Sequence, residues 1–399
     1  YKMLNSGFVF NNFYNPIWYT STVDGEFAGI SGLLPEGKFN GRRCARVIDD
    51  LDTNEDESKA KGAKQEDNAM PYALGNIFKY NGYKTYAYHN HTFDYYSRNA
   101  IVGAFGYDVY RGYKGGTVFG ETKREFAIPV TYMWPESDLE MMELTVPEYL
   151  EEWKKTGEPF HAYYMSVSGH TNYSKGGNAM SKRHFNEMDD LPWSDTLKCY
   201  IAANYELELA VNNLIEQLKA AGALEKTVIV INADHYPYGL ENMATDAGLP
   251  SNTYFSEFYG HDVDNHIEKY KNHLVIWNAG MTETYQIDKV ACPMDIIPTI
   301  LNLFGVEFDS RLYMGRDILS DAPGFVVFGS DDKYKFMTDT CIRYYDNSLG
   351  SVVVKNLTDE EVSKEYLNAM LQEAKNRYTA SRYIINNDYF STIKQYLEK

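Results

Sequence analysis

Thr227-Val-Ile-Val-Ile-Asn-Ala-Asp-His235 is the stretch whose reading decides the fold. Thr227 to Ile231 is a short apolar run rich in β-branched residues, the kind that forms a strand covered on both faces. It ends in Asp234 and His235, side chains that can ligate a metal and have no place in an apolar core. A helical stretch precedes it, Asn204 to Leu218, with Leu207, Val211, Leu214 and Leu218 at three- and four-residue steps. Helix, buried strand, then polar side chains at the strand's carboxyl end is an α/β layout, whose ligands bind beyond the C-terminal edge of the sheet.

The same arrangement recurs upstream. Lys84 to Tyr88 reads as a strand that releases His89, Asn90 and His91, and Phe160 to Val167 as one that delivers Ser168-Gly169-His170. A lone histidine at a strand end is an ordinary structural residue. Three such releases at one sheet edge point to a site. Further strands are expected at Phe8 to Phe13 and His273 to Trp277, and helices at Met70 to Tyr80, Val146 to Lys155 and Pro293 to Phe304. Residues 37–68 read as a polar excursion, and 171–193 and 236–266 as long loops beyond the sheet edge. From Gly324 the texture changes to short strands (Phe325 to Phe328, Tyr334 to Thr338, Ser351 to Val354) and a terminal helix, Glu360 to Arg377. The expected architecture is an α/β domain over 1–319, with a mainly parallel central sheet flanked by helices, and a small α+β extension over 320–399.

Composition narrows the function. A formal net charge of −18 over 399 residues argues against a nucleic-acid partner. The four cysteines, Cys44, Cys199, Cys292 and Cys341, lie far apart and form no CxxC zinc motif. No run of about 20 apolar residues is present to span a membrane. The 35 tyrosines supply surface that is apolar over the ring and hydrogen-bonding at the tip.

Near the start, Thr22-Val23-Asp24-Gly25-Glu26-Phe27 opens a helix, with Asp24 and Glu26 as the acidic residues expected in a first turn and Thr22 at or near its N-cap. On these residues the chain resembles the lipoteichoic acid synthase branch of the sulfatase-like, alkaline phosphatase-type superfamily. The resemblance runs from about Gly7 to Leu319. It implies that Thr22, in the family's T-x-D-x-E-F segment, is the nucleophile and a metal ligand. Asp234-His235-Tyr236 matches the family's metal-binding pair, and His170 its substrate-contacting histidine. Tyr96-Ser97-Arg98, ahead of Phe105-Gly106-Tyr107-Asp108, matches an aromatic-x-Arg segment that contacts glycerol phosphate, with Tyr96 where the family has Trp. His89 joins this set as a further substrate-binding residue. The family's remaining metal ligand is a Glu ending a first strand, and Tyr1 to Ser21 holds no acidic residue. The reading that keeps the sheet complete puts that strand upstream of Tyr1.

The chemistry so implied is metal-dependent phosphoryl transfer. A threonine hydroxyl needs activation at neutral pH, and an Asp-His-Thr donor set suits one divalent cation, Mn²⁺ ahead of Mg²⁺ or Zn²⁺. The expected donor is phosphatidylglycerol or a similar phospholipid head group, and the acceptor a polyglycerol phosphate or a glycan. The protein is expected to work outside the membrane, as the catalytic part of a bacterial membrane-anchored enzyme. Two alternatives stay open: a sulfatase-like hydrolase or phosphodiesterase with water as acceptor, and a non-catalytic domain that binds head groups or glycans. No Cys or Ser stands in a C/S-x-P-x-R context, so the formylglycine nucleophile of sulfatases has no precursor here.

Overall fold

The computed structural model describes residues 3–36, 43–47, 65–114, 122–329 and 334–397. In chain order its strands begin with β1 (Phe8–Tyr14), a short ribbon of β2 (Ala45–Val47) and β3 (Gln65–Asp67), β4 (Lys84–Thr92) and β5 (Val109–Tyr113). Then come β6 (Ala127–Ile128), β7 (Phe160–Met165), β8 (Val228–Ile231), β9 (Lys271–Asn278) and β10 (Tyr285–Ile287). One sheet has the order β6-β5-β4-β7 and is parallel throughout. The other has the order β10-β1-β9-β8, in which β1 and β10 are parallel and β9 runs against both β1 and β8.

Apolar residues stand on both faces of these strands, which is why helices cover both. One face meets α1 (Thr22–Ser31), α2 (Leu74–Tyr80), α3 (Arg98–Ala104) and α9 (Ile296–Leu303), through Phe27, Ile77, Ile101 and Ile297 against Ala87 and Leu274. The other meets the long helices α4 (Asp138–Thr156) and α6 (Asp195–Ala221), through Val146, Tyr149, Ala210 and Leu218 against Tyr86, Ile229 and Trp277. Trp277 is fully buried there, and its Nε1 donates to Ser6 Oγ at 3.1 Å. The two sheets thus share both helix layers, since Tyr163 of β7 and Val230 of β8 pack on one side while Tyr164 and Ile231 pack on the other.

Thr227 to Ile231 forms a strand, as its sequence predicts, but it is not sealed on both sides. β8 pairs only with β9 and β7 only with β4 among the described residues. Their residues are consequently mostly half-buried despite the helices above and below.

Other differences have local causes. Helix α4 starts eight residues before the expected Val146, because Ser137 caps it by accepting from the Glu140 amide. The two stretches read as loops contain helices, α5 (Ala179–His184) in the first and α7 (Gly239–Asp246) and α8 (Thr253–Tyr259) in the second. Tyr173, Leu240 and Phe255 anchor them in an apolar cluster of their own. The excursion at 37–68 falls mostly outside the described residues. The C-terminal sheet is an antiparallel meander of β11 (Phe325–Val327), β12 (Phe336–Thr338), β13 (Cys341–Asp346) and β14 (Ser351–Asn356), of which β13 was not anticipated. Helix α10 (Lys364–Asn386) outruns its expected end, and α11 (Tyr389–Leu397) follows. Phe325, Phe336, Tyr378 and Ile385 join the same apolar cluster as Phe27. No helix of the described residues is long and apolar enough to cross a membrane.

Trp277 ties β9 to the α4/α6 layer, so Trp277→Ala should lower unfolding free energy by about 3–5 kcal/mol. Urea denaturation measures this, and a loss under about 1 kcal/mol would mean that the layer does not depend on this contact.

Candidate active site

Helix α1 begins at Thr22, directly after Ser21, which occupies the N-cap position without a side-chain cap bond. Asp24 reaches back instead. Its Oδ2 accepts from the backbone amides of Tyr19 at 2.8 Å and Thr20 at 2.6 Å, and its Oδ1 accepts from Arg43 Nε at 2.7 Å. Glu26, half a turn on, takes Arg98: Nε donates at 3.0 Å to Oε2, and Nη2 lies 2.8 Å from the same oxygen. Both carboxylates are the acids that the sequence places in the first turn. Both are buried, because each has a guanidinium of its own.

Between them lies Gly25. A β-carbon at this position would stand 1.7 Å from the backbone oxygen of Asp234. The first turn of α1, which Thr22 opens, and the chain leaving β8, which carries Asp234, therefore touch backbone to backbone. Asn15 supports the same chain from below: its Nδ2 donates to Ala233 O at 2.6 Å, and its carbonyl accepts from Tyr236 N at 3.3 Å.

His235 is held by its inner nitrogen. Nδ1 lies 2.7 Å from Tyr236 O, which only accepts, so Nδ1 carries the proton. Nε2 is left 3.3 Å from Asp234 Oδ2. An imidazole nitrogen beside a carboxylate oxygen is a pair that a cation can share, and a metal-binding histidine typically ties its other nitrogen to a carbonyl in this way. Asp234 and His235 thus have the donor chemistry of a cation site. Their number falls short, since no three His, Cys, Asp or Glu side chains gather to hold a metal among the described residues. A four-ligand shell needs one more group.

The second wall of the site is aromatic and histidine-rich. His89, near the end of β4, is buried, and its Nδ1 donates to Met165 O at 2.9 Å. Its ring lies 5.8 Å from that of His91, which packs 5.7 Å from Trp134, and Trp134 lies 5.2 Å from His170. His170 is exposed and turns its Nδ1 to Thr171 O at 2.5 Å, which leaves Nε2 outward. Burial and then the Arg98 charge hold His89 well below the ordinary imidazole range, and the same two causes, joined by His170, push His91 down to about 4. Both rings are neutral at pH 7. Trp134 is 42% exposed and was not singled out from the sequence. Only the fold brings Trp134 between two histidines.

Tyr96 and Ser97 both have φ of 56°, a conformation that non-glycine residues adopt sparingly. This reverses the chain before α3 and brings Arg98 inward. Its guanidinium carbon lies 5.6 Å from the centre of the Tyr96 ring, Nη1 donates to Tyr95 O at 3.2 Å, and the side chain is 1% exposed. The sequence reading makes Arg98 a direct phosphate clamp. In the structure its fork is turned to Glu26.

Two sheets that share both helix layers, one parallel and one mixed, with His89, His170 and Asp234-His235 at or beyond strand ends and Thr22 opening α1, form an α/β fold of the alkaline phosphatase type. A family model described as Sulfatase matches residues 1–306, and the chain belongs to the sulfatase family. Within that family it is similar to lipoteichoic acid synthases. Lipoteichoic acid synthase 2 of Bacillus subtilis is 24% identical over 90% of this chain and 48% of its own length. Lipoteichoic acid synthase of Staphylococcus saprophyticus is 23% identical over 92% of this chain and 50% of its own length. The chain thus spans about half the length of these curated relatives. Its fold is similar to the crystal structure of the lipoteichoic acid synthase LtaP from Listeria monocytogenes, with a TM-score of 0.72, 20% identity, and coverage of 97% of this chain and 85% of that one. An alkaline phosphatase superfamily protein from Vibrio parahaemolyticus matches with a TM-score of 0.61 at 17% identity, over 97% and 81% of the two chains.

Two outcomes test this geometry. Gly25→Ala should cost about 1–3 kcal/mol and displace α1 from Asp234, with loss of activity. Gly29→Ala, whose β-carbon would meet only Pro293 Cβ at 4.0 Å, should be neutral or stabilise by about 0.5–1 kcal/mol. Equal melting temperatures for the two variants would contradict the contact. In an NMR titration the His91 ring should change protonation near pH 4, and a midpoint above about 6 would mean that the ring is solvated.

Proposed function

We propose that this protein is a metal-dependent phosphoglycerol transferase. It moves glycerol phosphate from phosphatidylglycerol, or a similar phospholipid, to a polyglycerol phosphate or glycan acceptor, through a covalent intermediate on Thr22. The observation that carries the reading is the contact of Gly25 with Asp234, which sets the start of the Thr22 helix against the Asp234-His235 pair. Thr22, Asp234 and His235 would hold one divalent cation, Mn²⁺ ahead of Mg²⁺ or Zn²⁺. Such a cation lowers the pKa of a coordinated hydroxyl and offsets phosphoryl charge.

The chain's own residues do the rest. Thr22 Oγ attacks phosphorus, and the diacylglycerol oxygen departs. His170, with its outer nitrogen free, is the group to protonate that oxygen. His89, Tyr96 and Trp134 border the glycerol phosphate. Arg98 adds positive field from behind and fixes α1 through Glu26. The names of the relatives support transfer over hydrolysis, as do Glu26-Phe27 and Tyr96-Ser97-Arg98. The half-open edges of β7 and β8 support a further reading. Between them is the place for one more strand, whose end would bring the acidic ligand that the resemblance implies. The same resemblance implies a membrane anchor and an extracytoplasmic catalytic domain.

Given a fluorescent phosphatidylglycerol and Mn²⁺, the protein should release diacylglycerol and gain the mass of one glycerol phosphate on Thr22. Thr22→Ala should lose both signals while staying folded, since the N-cap of α1 is Ser21 and Thr22 is the first helical residue, where alanine is a good helix former. Turnover by Thr22→Ala, or cleavage of aryl sulfates in preference to phosphodiesters, would replace this reading with the hydrolase one.

A further inference from the structure

An open cavity of about 440 Å³ lies beside Ser21, the residue before α1, and the segment after Asp234-His235. Ile17, Ser21, Tyr236, Tyr238, Glu241 and Tyr270 line it, and Asn242 stands at its edge. None of His89, His91, Trp134 or His170 takes part. The cavity borders the reacting centre at two points. Ser21, the residue before Thr22, has its Oγ 3.3 Å from Tyr238 OH, and the Tyr238 ring lies 4.9 Å from that of His235.

Its charge is cancelled internally. Glu241 Oε1 accepts from Lys269 Nζ at 2.9 Å, and Oε2 accepts from Tyr236 OH at 2.6 Å. The Lys269 ammonium in turn sits 5.3 Å and 5.0 Å from the centres of the Tyr236 and Tyr270 rings. A phosphate here would find no uncommitted cation among the lining side chains, and a metal ion no uncommitted carboxylate. What the cavity offers is three tyrosine rings, four hydroxyls, of which Tyr236 OH is given to Glu241 and those of Ser21 and Tyr238 face each other, the outer lone pairs of Glu241 and the exposed Asn242 amide. Aromatic faces against C–H surfaces, with polar groups at the rim, suit a neutral polyhydroxylated molecule.

We infer that this cavity is the acceptor subsite and that it takes an uncharged sugar or polyol, presenting a hydroxyl to Thr22. The inference rests on the transferase reading and decides between its two acceptors, in favour of a neutral glycan over a polyglycerol phosphate end. In the second half-reaction the acceptor oxygen–phosphorus bond forms as the Thr22 Oγ–phosphorus bond breaks. The acceptor's proton ends on the Thr22 oxygen, and no further reactant is needed.

Binding and transfer are measured separately. In Thr22→Ala protein, saturation-transfer NMR should detect maltose and show that an equal concentration of glycerol 3-phosphate does not displace it. Asn242→Trp, which fills the cavity from an exposed helix position, and Glu241→Gln should each abolish that signal. In otherwise wild-type protein with fluorescent phosphatidylglycerol and maltose, the same two substitutions should lower the ratio of sugar-linked to water-derived product by about tenfold or more. No maltose signal, displacement by glycerol 3-phosphate, or an unchanged product ratio in both variants would overturn the assignment. Failure to release diacylglycerol would instead remove the transferase reading, while the maltose arm would still report on the cavity.

Discussion

The site depends on one close approach, that of the Gly25 backbone to the Asp234 carbonyl. Nothing larger than glycine fits, and the contact survives only if α1 cannot slide or rotate. Two buried ion pairs prevent this. Asp24 with Arg43 fixes the turn entering the helix, and Glu26 with Arg98 fixes the next residues from the opposite side. Buried pairs of this kind add little net stability over apolar packing. Removing one partner alone strands a charge and costs about 3–5 kcal/mol, so they define a position.

Arg98 shows how one side chain can serve both architecture and chemistry. Its charge is spent on Glu26, yet it still lowers the proton affinity of His89 and His91. Burial, and then this charge, keep the His89 and His91 rings neutral at pH 7. Trp134 packs between His91 and His170 and keeps the histidine-rich wall apolar at its outer edge. The cavity beside Tyr238 differs in kind. Its carboxylate is answered by Lys269, so the two flanks of Thr22 offer a positive field on one side and a neutral tyrosine lining on the other.

Much of this was legible in the sequence. A β-branched run ending in Asp234-His235 reads as a strand with a polar end, and Thr22 to Phe27 as a helix start, because period and composition are local properties. The packing roles of Asp24, Glu26 and Arg98 were not legible. A carboxylate in a first turn has the same sequence signature whether it meets water or a guanidinium 19 or 72 residues away. The openness of β7 and β8 was equally hidden, since pairing partners are set by topology and not by the strand's own residues.

By itself, then, the sequence determined which segments are strands and helices, which ends carry titratable groups, and which nucleophile is on offer. Tertiary structure alone decided that α1 touches the end of β8 through a glycine, that Trp134 stands between His91 and His170, and that Glu241 is neutralised beside Thr22. The physical reason is range. Propensity and periodicity act over a few residues, whereas contact, burial and charge compensation join groups that the chain holds far apart.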